Sequence, residues 1–241
     1  MDNFAVFMQD VRKDYDEAER LYRKALELDP RNSITMGNFA VFMQDVRKEY
    51  DEAEGLYRKA LELDPNAALT TANFALFMQE VRKDYDEAER LYRKALELDP
   101  NYALATRNFA LFMQNVRKDY DEAEGLYRKA LELDPNDAVT TANFALFMTT
   151  VRKDHDEAER FFRKALELDP NKAFATGNFA FFMETIRKDY DEAELLYRKA
   201  LELDPNYAFA TRNFALFMKD VRKNSKEAER LDRRADLLDA V

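Results

Sequence analysis

The sequence predicts an all-α fold, an α-solenoid of about seven tandem antiparallel helix hairpins, and three observations carry that prediction. All six prolines fall at Pro30, Pro65, Pro100, Pro135, Pro170 and Pro205, always 35 residues apart, and self-similarity at a fixed period marks a repeat array. An Asn-Phe-Ala triplet begins at Asn3, Asn38, Asn73, Asn108, Asn143, Asn178 and Asn213, giving seven copies that leave no room for a different domain. Composition agrees: 36% charged and 46% hydrophobic residues, with 4 Gly and 6 Pro in 241 residues, suit long helices rather than turn-rich sheets or disorder.

The fourth copy shows the elements in order. Ala105, Phe109, Phe112 and Val116 recur at helical spacing and form the core stripe of a first helix. After Arg117-Lys118-Asp119-Tyr120 a second helix starts, with Asp121 placed to cap it and Glu124 three residues on, a capping-box pattern. Its stripe is Ala123, Leu126, Tyr127, Ala130 and Leu131. Asp134-Pro135-Asn136 ends it, because proline disfavours a helical residue before it and cannot donate into a continuing helix. Two such short helices cannot bury their apolar faces alone, so neighbouring hairpins must stack. The copies span 1–32 (shortened at its N-terminal side), 33–67, 68–102, 103–137, 138–172, 173–207 and 208–241, together one solenoid over 1–241.

Asp84-Tyr85-Asp86-Glu87-Ala88 and Tyr92-Arg93-Lys94-Ala95-Leu96-Glu97-Leu98-Asp99-Pro100 resemble the second helix of the tetratricopeptide (TPR) repeat. The match recurs in six copies and, with a weaker seventh, covers essentially the whole chain. In the first helix, Thr106 stands where a large aromatic is common and Ala110 where glycine is. An extra residue before Asp119 lengthens the repeat from about 34 residues to 35. The resemblance implies a right-handed superhelix that binds a peptide or protein segment in a concave groove lined by the first helices, without catalysis.

The two ends differ. Asp232 and Asp236 replace the Tyr197 and Leu201 of one period earlier, and Ala240 replaces the proline, so 208–241 is expected to be a solvated C-terminal cap. At the other end no polar capping helix precedes the first triplet. That face is expected to be open, continuing into a longer array or pairing with another copy, most simply through a two-fold contact.

A helical wheel places Leu104, Asn108, Leu111 and Asn115 on a second face of the first helix, away from its core stripe. In other copies that face carries Leu69/Leu76, Val139/Leu146, Phe174/Phe181 and Phe209/Leu216. The column Asn38, Asn73, Asn108, Asn143, Asn178 and Asn213 runs beside it. A carboxamide both donates and accepts, so this ladder can hold an extended peptide backbone; it can equally fix hairpin packing. Arg107 and Arg212 vary where other copies have Gly37, Ala72, Ala142 and Gly177, which makes them candidates for a carboxylate or phosphate. The family's further groove Asn is replaced by apolar residues such as Val41, Leu76 and Leu111, so a hydrophobic peptide is the expected ligand. Phe161, Phe162, Phe174, Phe181, Phe182 and Phe209 make the later copies the most aromatic.

Other chemistry is poorly represented. The chain has no Cys and one His, His155, standing where other copies have tyrosine, so no metal site, cofactor or nucleophilic triad is expected. Asp-Glu-Ala-Glu recurs at helix starts, where the macrodipole favours negative charge. A net charge of -10, with Glu89/Arg93 and Glu124/Arg128 pairs neutralising the basic groups, disfavours nucleic acid and leaves RNA as a third reading behind self-assembly. With no secretory signal or membrane-spanning stretch, a soluble, cytoplasmic protein is the default expectation.

Overall fold

In a computed structural model the chain is described over residues 2–239; the exchange of proline for Ala240 lies outside the described residues. Among those residues every regular element is helical, and the fold is an all-α repeat solenoid. Two compact units, Met1–Asp119 and Tyr120–Val241, divide within the fourth copy.

The first unit contains α1 (Asp2–Phe7), α2 (Tyr15–Leu28), α3 (Ser33–Phe42), α4 (Tyr50–Leu63), α5 (Ala68–Phe77), α6 (Tyr85–Leu98) and α7 (Ala103–Phe112). The second contains α8 (Tyr120–Leu133), α9 (Ala138–Phe147), α10 (His155–Leu168), α11 (Ala173–Phe182), α12 (Tyr190–Leu203), α13 (Ala208–Asp220) and α14 (Ser225–Asp239). Odd-numbered helices are the first of each copy, helix A, and even-numbered ones the second, helix B.

The 35th residue is absorbed at the end of helix A. Each of the first six helices A runs on into a π-helical turn, such as Met43–Arg47 after α3 and Met78–Arg82 after α5. In the second copy the Lys48 N–H donates to the Met43 carbonyl, five residues back, and so does the Glu49 N–H at 3.0 Å. The chain then reverses through a left-handed lysine, from Lys13 (φ 57°) to Lys188 (φ 59°), a conformation that favours glycine. In the last copy α13 stays α-helical to Asp220, yet Lys223 is left-handed too.

Helix B begins two residues earlier than the capping box implies. Asp14, Asp84, Asp154 and Asp189 cap α2, α6, α10 and α12, each accepting from the amide three residues on, as in Glu87 N–H to Asp84 at 3.1 Å. The cap therefore belongs to the column of Asp119, and that of Asp121 has other work, described below. At the far end the expected stop holds: the Asp99 N–H closes on the Ala95 carbonyl and its side chain accepts the Asn101 N–H, turning the chain past Pro100.

Stacking is aromatic. In the first unit the buried tyrosine of one helix B packs on two phenylalanines of the next helix A, Tyr22 on Phe39 (5.2 Å) and Phe42 (5.6 Å), and Tyr57 on Phe74 (5.2 Å) and Phe77 (5.6 Å). In the second unit Tyr197 does the same with Phe214 (5.4 Å) and Phe217 (5.8 Å). Burial pushes these phenols upward from their ordinary pKa, so each hydroxyl stays protonated and donates within its own hairpin, Tyr57 to Gln44 at 3.0 Å and Tyr92 to Gln79 at 3.0 Å. Where the tyrosine becomes Phe162, the glutamine becomes Thr149, whose hydroxyl turns back to the Ala145 carbonyl at 2.9 Å. Donor and acceptor disappear together, so neither remains buried without a partner.

Candidate functional site

The second face of helix A is open. In the first unit Ile34, Leu69 and Leu104 are exposed at 68%, 55% and 44%, and Val41, Leu76 and Leu111 beside them are half-buried. In the second unit Val139, Leu146 and Phe174 are half-buried while Phe181, Phe209 and Leu216 are exposed. The Phe181 and Phe209 rings meet edge to face at 5.8 Å, joining α11 to α13. Each unit thus carries a run of apolar side chains on the side of helix A opposite its core stripe.

The asparagine column is not uniform. Asn38 is half-buried and donates to Asp2 at 3.1 Å, and Asn213 donates to the Phe209 carbonyl at 2.8 Å. Asn73 and Asn108 are half-buried. Asn143 and Asn178 are buried, and the Asn178 amide donates to the Phe174 carbonyl (2.7 Å) and to the Tyr207 hydroxyl (3.1 Å) of the next hairpin. Asn178 thus joins neighbouring hairpins, and the Asn143 side chain is buried. Tyr207 was not among the sequence candidates, and its phenol is pushed up to about 12 by burial.

The small residues that other copies carry at the Arg107 and Arg212 positions are packing surface. Gly37, Ala72, Ala142 and Gly177 are all buried. A methyl group on Gly177 would lie 2.7 Å from the Tyr207 ring, and one on Gly37 would lie 2.8 Å from Thr70. Ala142 is fully buried, and the Gly177 position is covered by the Tyr207 ring. Arg107 is half-buried and Arg212 exposed, and both are engaged by other groups.

The turn arginines join the hairpins. Arg47 reaches from its π-turn back to the start of the preceding helix B. It donates to Glu19 (2.7 Å), Asp16 (2.6 Å) and the Tyr15 carbonyl (3.1 Å), and its guanidinium lies over Phe42 at 5.6 Å. Arg82 repeats this on Glu54, Asp51 and the Tyr50 carbonyl, and Arg117 on Glu89, Asp86 and the Tyr85 carbonyl. In the second unit Arg152, Arg187 and Arg222 do likewise on Asp121/Glu124, Asp156/Glu159 and Asp191/Glu194. The hydrogen bond to Asp16 leads the interactions that raise the Arg47 pKa, so this group stays charged. Helix-surface pairs add to the set: Arg93 and Arg128 bond Glu89 and Glu124 four residues back. The Arg198 bond, foremost, holds Glu194 below the usual carboxylate range. Most turn and helix-B arginines are thus committed to carboxylates of this chain. Among the described residues no cluster of potential metal ligands occurs, and no helix is long and apolar enough to cross a membrane.

Comparison with known proteins agrees with this architecture. Models of the tetratricopeptide repeat match residues 12–32, 79–102, 111–139, 152–172 and 187–207, and a Sel1 repeat model matches 42–65. The chain is a tetratricopeptide-repeat protein. Among solved TPR-like structures, Pseudomonas aeruginosa pilF is 23% identical, with a TM-score of 0.72 over 87% of this chain and 94% of its own. PilW, a widely conserved type IV pilus biogenesis factor, is 19% identical, with a TM-score of 0.72 over 84% and 91%. YrrB, a TPR protein with an unusual peptide-binding site, is 25% identical, with a TM-score of 0.56 over 78% and 95%. Among curated proteins nothing matches. As a TPR protein the chain falls among protein-interaction scaffolds, a class typically without catalysis.

Proposed function

We propose that this TPR protein is a non-catalytic scaffold that holds an apolar peptide or protein segment against the second face of helix A. The supporting observation is the apolar run of the second unit, Leu146, Phe174, Phe181, Phe209 and Leu216, three of which remain exposed after folding. Contiguous exposed apolar surface is costly in a chain whose other faces are charged, and it marks an interaction surface. Aromatic anchors recover that cost on binding. YrrB, similar over most of its length, has a peptide-binding site, and the reading extends the same general role to this chain. The reading rests on the apolar run rather than on Arg107 and Arg212, whose side chains are already engaged by other groups.

Peptide display on the purified chain, alongside a Phe181→Ala/Phe209→Ala variant, tests the reading. An enriched apolar motif should bind the parent and lose about 2 kcal/mol, some thirtyfold in affinity, in the variant. Enrichment that is indifferent to both phenylalanines, or none from a folded chain, overturns it.

A further inference from the structure

Beyond the turn arginines, consecutive helices B are bridged directly at some junctions and not at others. In the first unit Arg23 reaches from α2 to α4 and donates to both Glu52 oxygens, at 2.8 and 3.1 Å. In the second unit Arg163 reaches from α10 to α12 and donates to both Glu192 oxygens, at 2.9 and 3.1 Å. The equivalent Glu87, Glu157 and Glu227 make no such bridge among the described residues. Each is held instead by an arginine three residues on in its own helix, Arg90, Arg160 and Arg230. The bridged copies carry Gly55 and Leu195 at that position. One residue on the surface of helix B thus decides whether the glutamate reaches its neighbour.

At the α8/α10 junction the missing bridge coincides with a cavity. Arg128, the counterpart of Arg163, bonds Glu124 of its own helix through Nε (3.2 Å) and Nη2 (2.7 Å) and lies over Phe144 at 5.2 Å. Its Nη1, the atom that Arg163 gives to Glu192, has no partner among the described residues. A cavity of about 230 Å³ is lined by Arg128, Leu131, Glu132, Phe144, Phe161 and Lys164. Its aromatic lining is particular to this copy. Phe161 stands where neighbouring copies have Leu126 and Leu196, and it meets the Phe144 ring edge to face at 4.8 Å. Lys164 is exposed and, among the described residues, makes no ion pair.

The bridged junctions specify the ligand. There a planar carboxylate takes two guanidinium N–H groups at once, the bidentate geometry that makes arginine a strong carboxylate binder. At α8/α10 the arginine has no such partner, a second cation stands beside it, and two rings and a leucine line the cavity. Glu132, the one acidic group of the lining, opposes a second negative charge, so a monocarboxylate fits better than a phosphate dianion. The volume is below the roughly 300–1,000 Å³ of sites for drug-sized ligands and suits one ring with its acid group.

We infer that the cavity between α8 and α10 binds an aromatic monocarboxylate, its acid group bidentate on Arg128 and its ring against Phe161. Arg160 keeps the site available by holding Glu157. The site lies on helices B, and the inference does not depend on the apolar run of helix A.

The test titrates the full chain with hydrocinnamate, with its amide and with phenyl phosphate, and follows amide shifts. Saturable binding of the acid is expected, with shifts at Leu131, Phe144 and Phe161, no binding of the amide and weaker binding of the phosphate. Arg128→Gln should weaken binding of the acid about tenfold. Arg160→Leu, which copies the bridged junction at Leu195 and leaves every lining residue in place, should weaken it as much, because Glu157 then takes Arg128. Arg163→Gln should change nothing. Acetyl-Gly-Phe separates two sources of the same chemistry, both in support: tighter binding than hydrocinnamate assigns the carboxylate to a peptide end, weaker binding to a small acid. No shifts at millimolar acid, equal binding of acid and amide, tighter binding of phenyl phosphate, or binding indifferent to Arg160→Leu each overturn the inference. Shifts confined to Phe181 and Phe209 also overturn it and leave the groove reading standing.

Discussion

A methyl group added at each of the glycines separates two reasons for having one. Gly55 and Gly125 sit exposed on helix B with nothing near the missing Cβ, whereas Gly177 is covered by the Tyr207 ring. Gly55→Ala and Gly125→Ala should each stabilise the chain by about 1 kcal/mol, the helix-propensity difference. Gly177→Ala should destabilise by about 1–2 kcal/mol despite the same gain, because the buried ring must shift; urea midpoints distinguish the signs. Glu184 offers a second residue-scale test. It replaces the glutamine of other copies, accepts from Tyr197 at 2.6 Å, and burial raises its pKa above 4.5. A raised carboxyl is most favourable to folding while protonated, so stability falls as pH rises from its unfolded value through its folded one. Glu184→Gln should therefore raise the melting temperature near pH 7, with the advantage shrinking toward pH 4. Equal gains at both would assign the effect to packing.

At the scale of the element, helices A and B were legible because their apolar residues repeat at helical spacing; their ends were less so. The stripe Ala105, Phe109, Phe112, Val116 reads as one α-helix, yet the turn from Met113 is π-helical, since nothing in the spacing of four residues distinguishes the two. Asp119 and Asp121 are equally good caps on paper, and the choice is made by an arginine in the neighbouring copy. The partners of Arg117, Glu89 and Asp86, lie 28 and 31 residues away, outside any local pattern. What was visible is that Arg, Asp and Glu recur together in copy after copy. This assigns different weights to two arginines of similar appearance. Arg117→Ala removes contacts with two carboxylates, a carbonyl and the Phe112 ring, whereas Arg198→Ala removes an exposed pair with Glu194 and a ring contact within reach of solvent. Thermal melts should show the larger loss for Arg117→Ala. The extra residue per copy supports this contact: it forms the π-turn from which the arginine reaches back.

For the whole molecule, the period of the prolines was enough to fix an all-α array, because a hairpin of two short helices has no other way to bury its faces. Ligand-facing residues were harder to read, since a column that repeats perfectly in sequence is unequal in space. Asn178 is enclosed by Tyr207, a residue present in that register only where the neighbouring copy supplies it, and Asn213 is not. Stability should be uneven for the same reason. In the first unit, amide hydrogen exchange should be fastest in α1 and its π-turn, where Phe4 and Phe7 lack the cover given to Phe39 and Phe42, and slowest in α4 and α6. Uniform protection across the unit would contradict the view that each hairpin is held mainly by its neighbours.

The near-identity of the turn-arginine junctions also bears on how the chain reaches its native order. Any helix A that carries the two phenylalanines and the arginine can seize any helix B that offers Asp, Glu and Tyr, so docking out of sequence costs little at the contact itself. A skipped copy would be looped out, and a copy borrowed from another molecule would tie two chains together, the characteristic error of repetitive proteins. The fit between Gly177 and Tyr207 works against some such errors, since that ring lies 2.7 Å from where a Cβ would stand. It would meet the longer Arg107 or Arg212 side chain in those copies, whereas the equivalent Tyr102 is accommodated beside Ala72. Refolding yield should therefore fall as protein concentration rises, and fall further in Tyr207→Ala. On this view the residues that differ between copies would act as addresses, and the Tyr207→Ala refolding yield is what tests it.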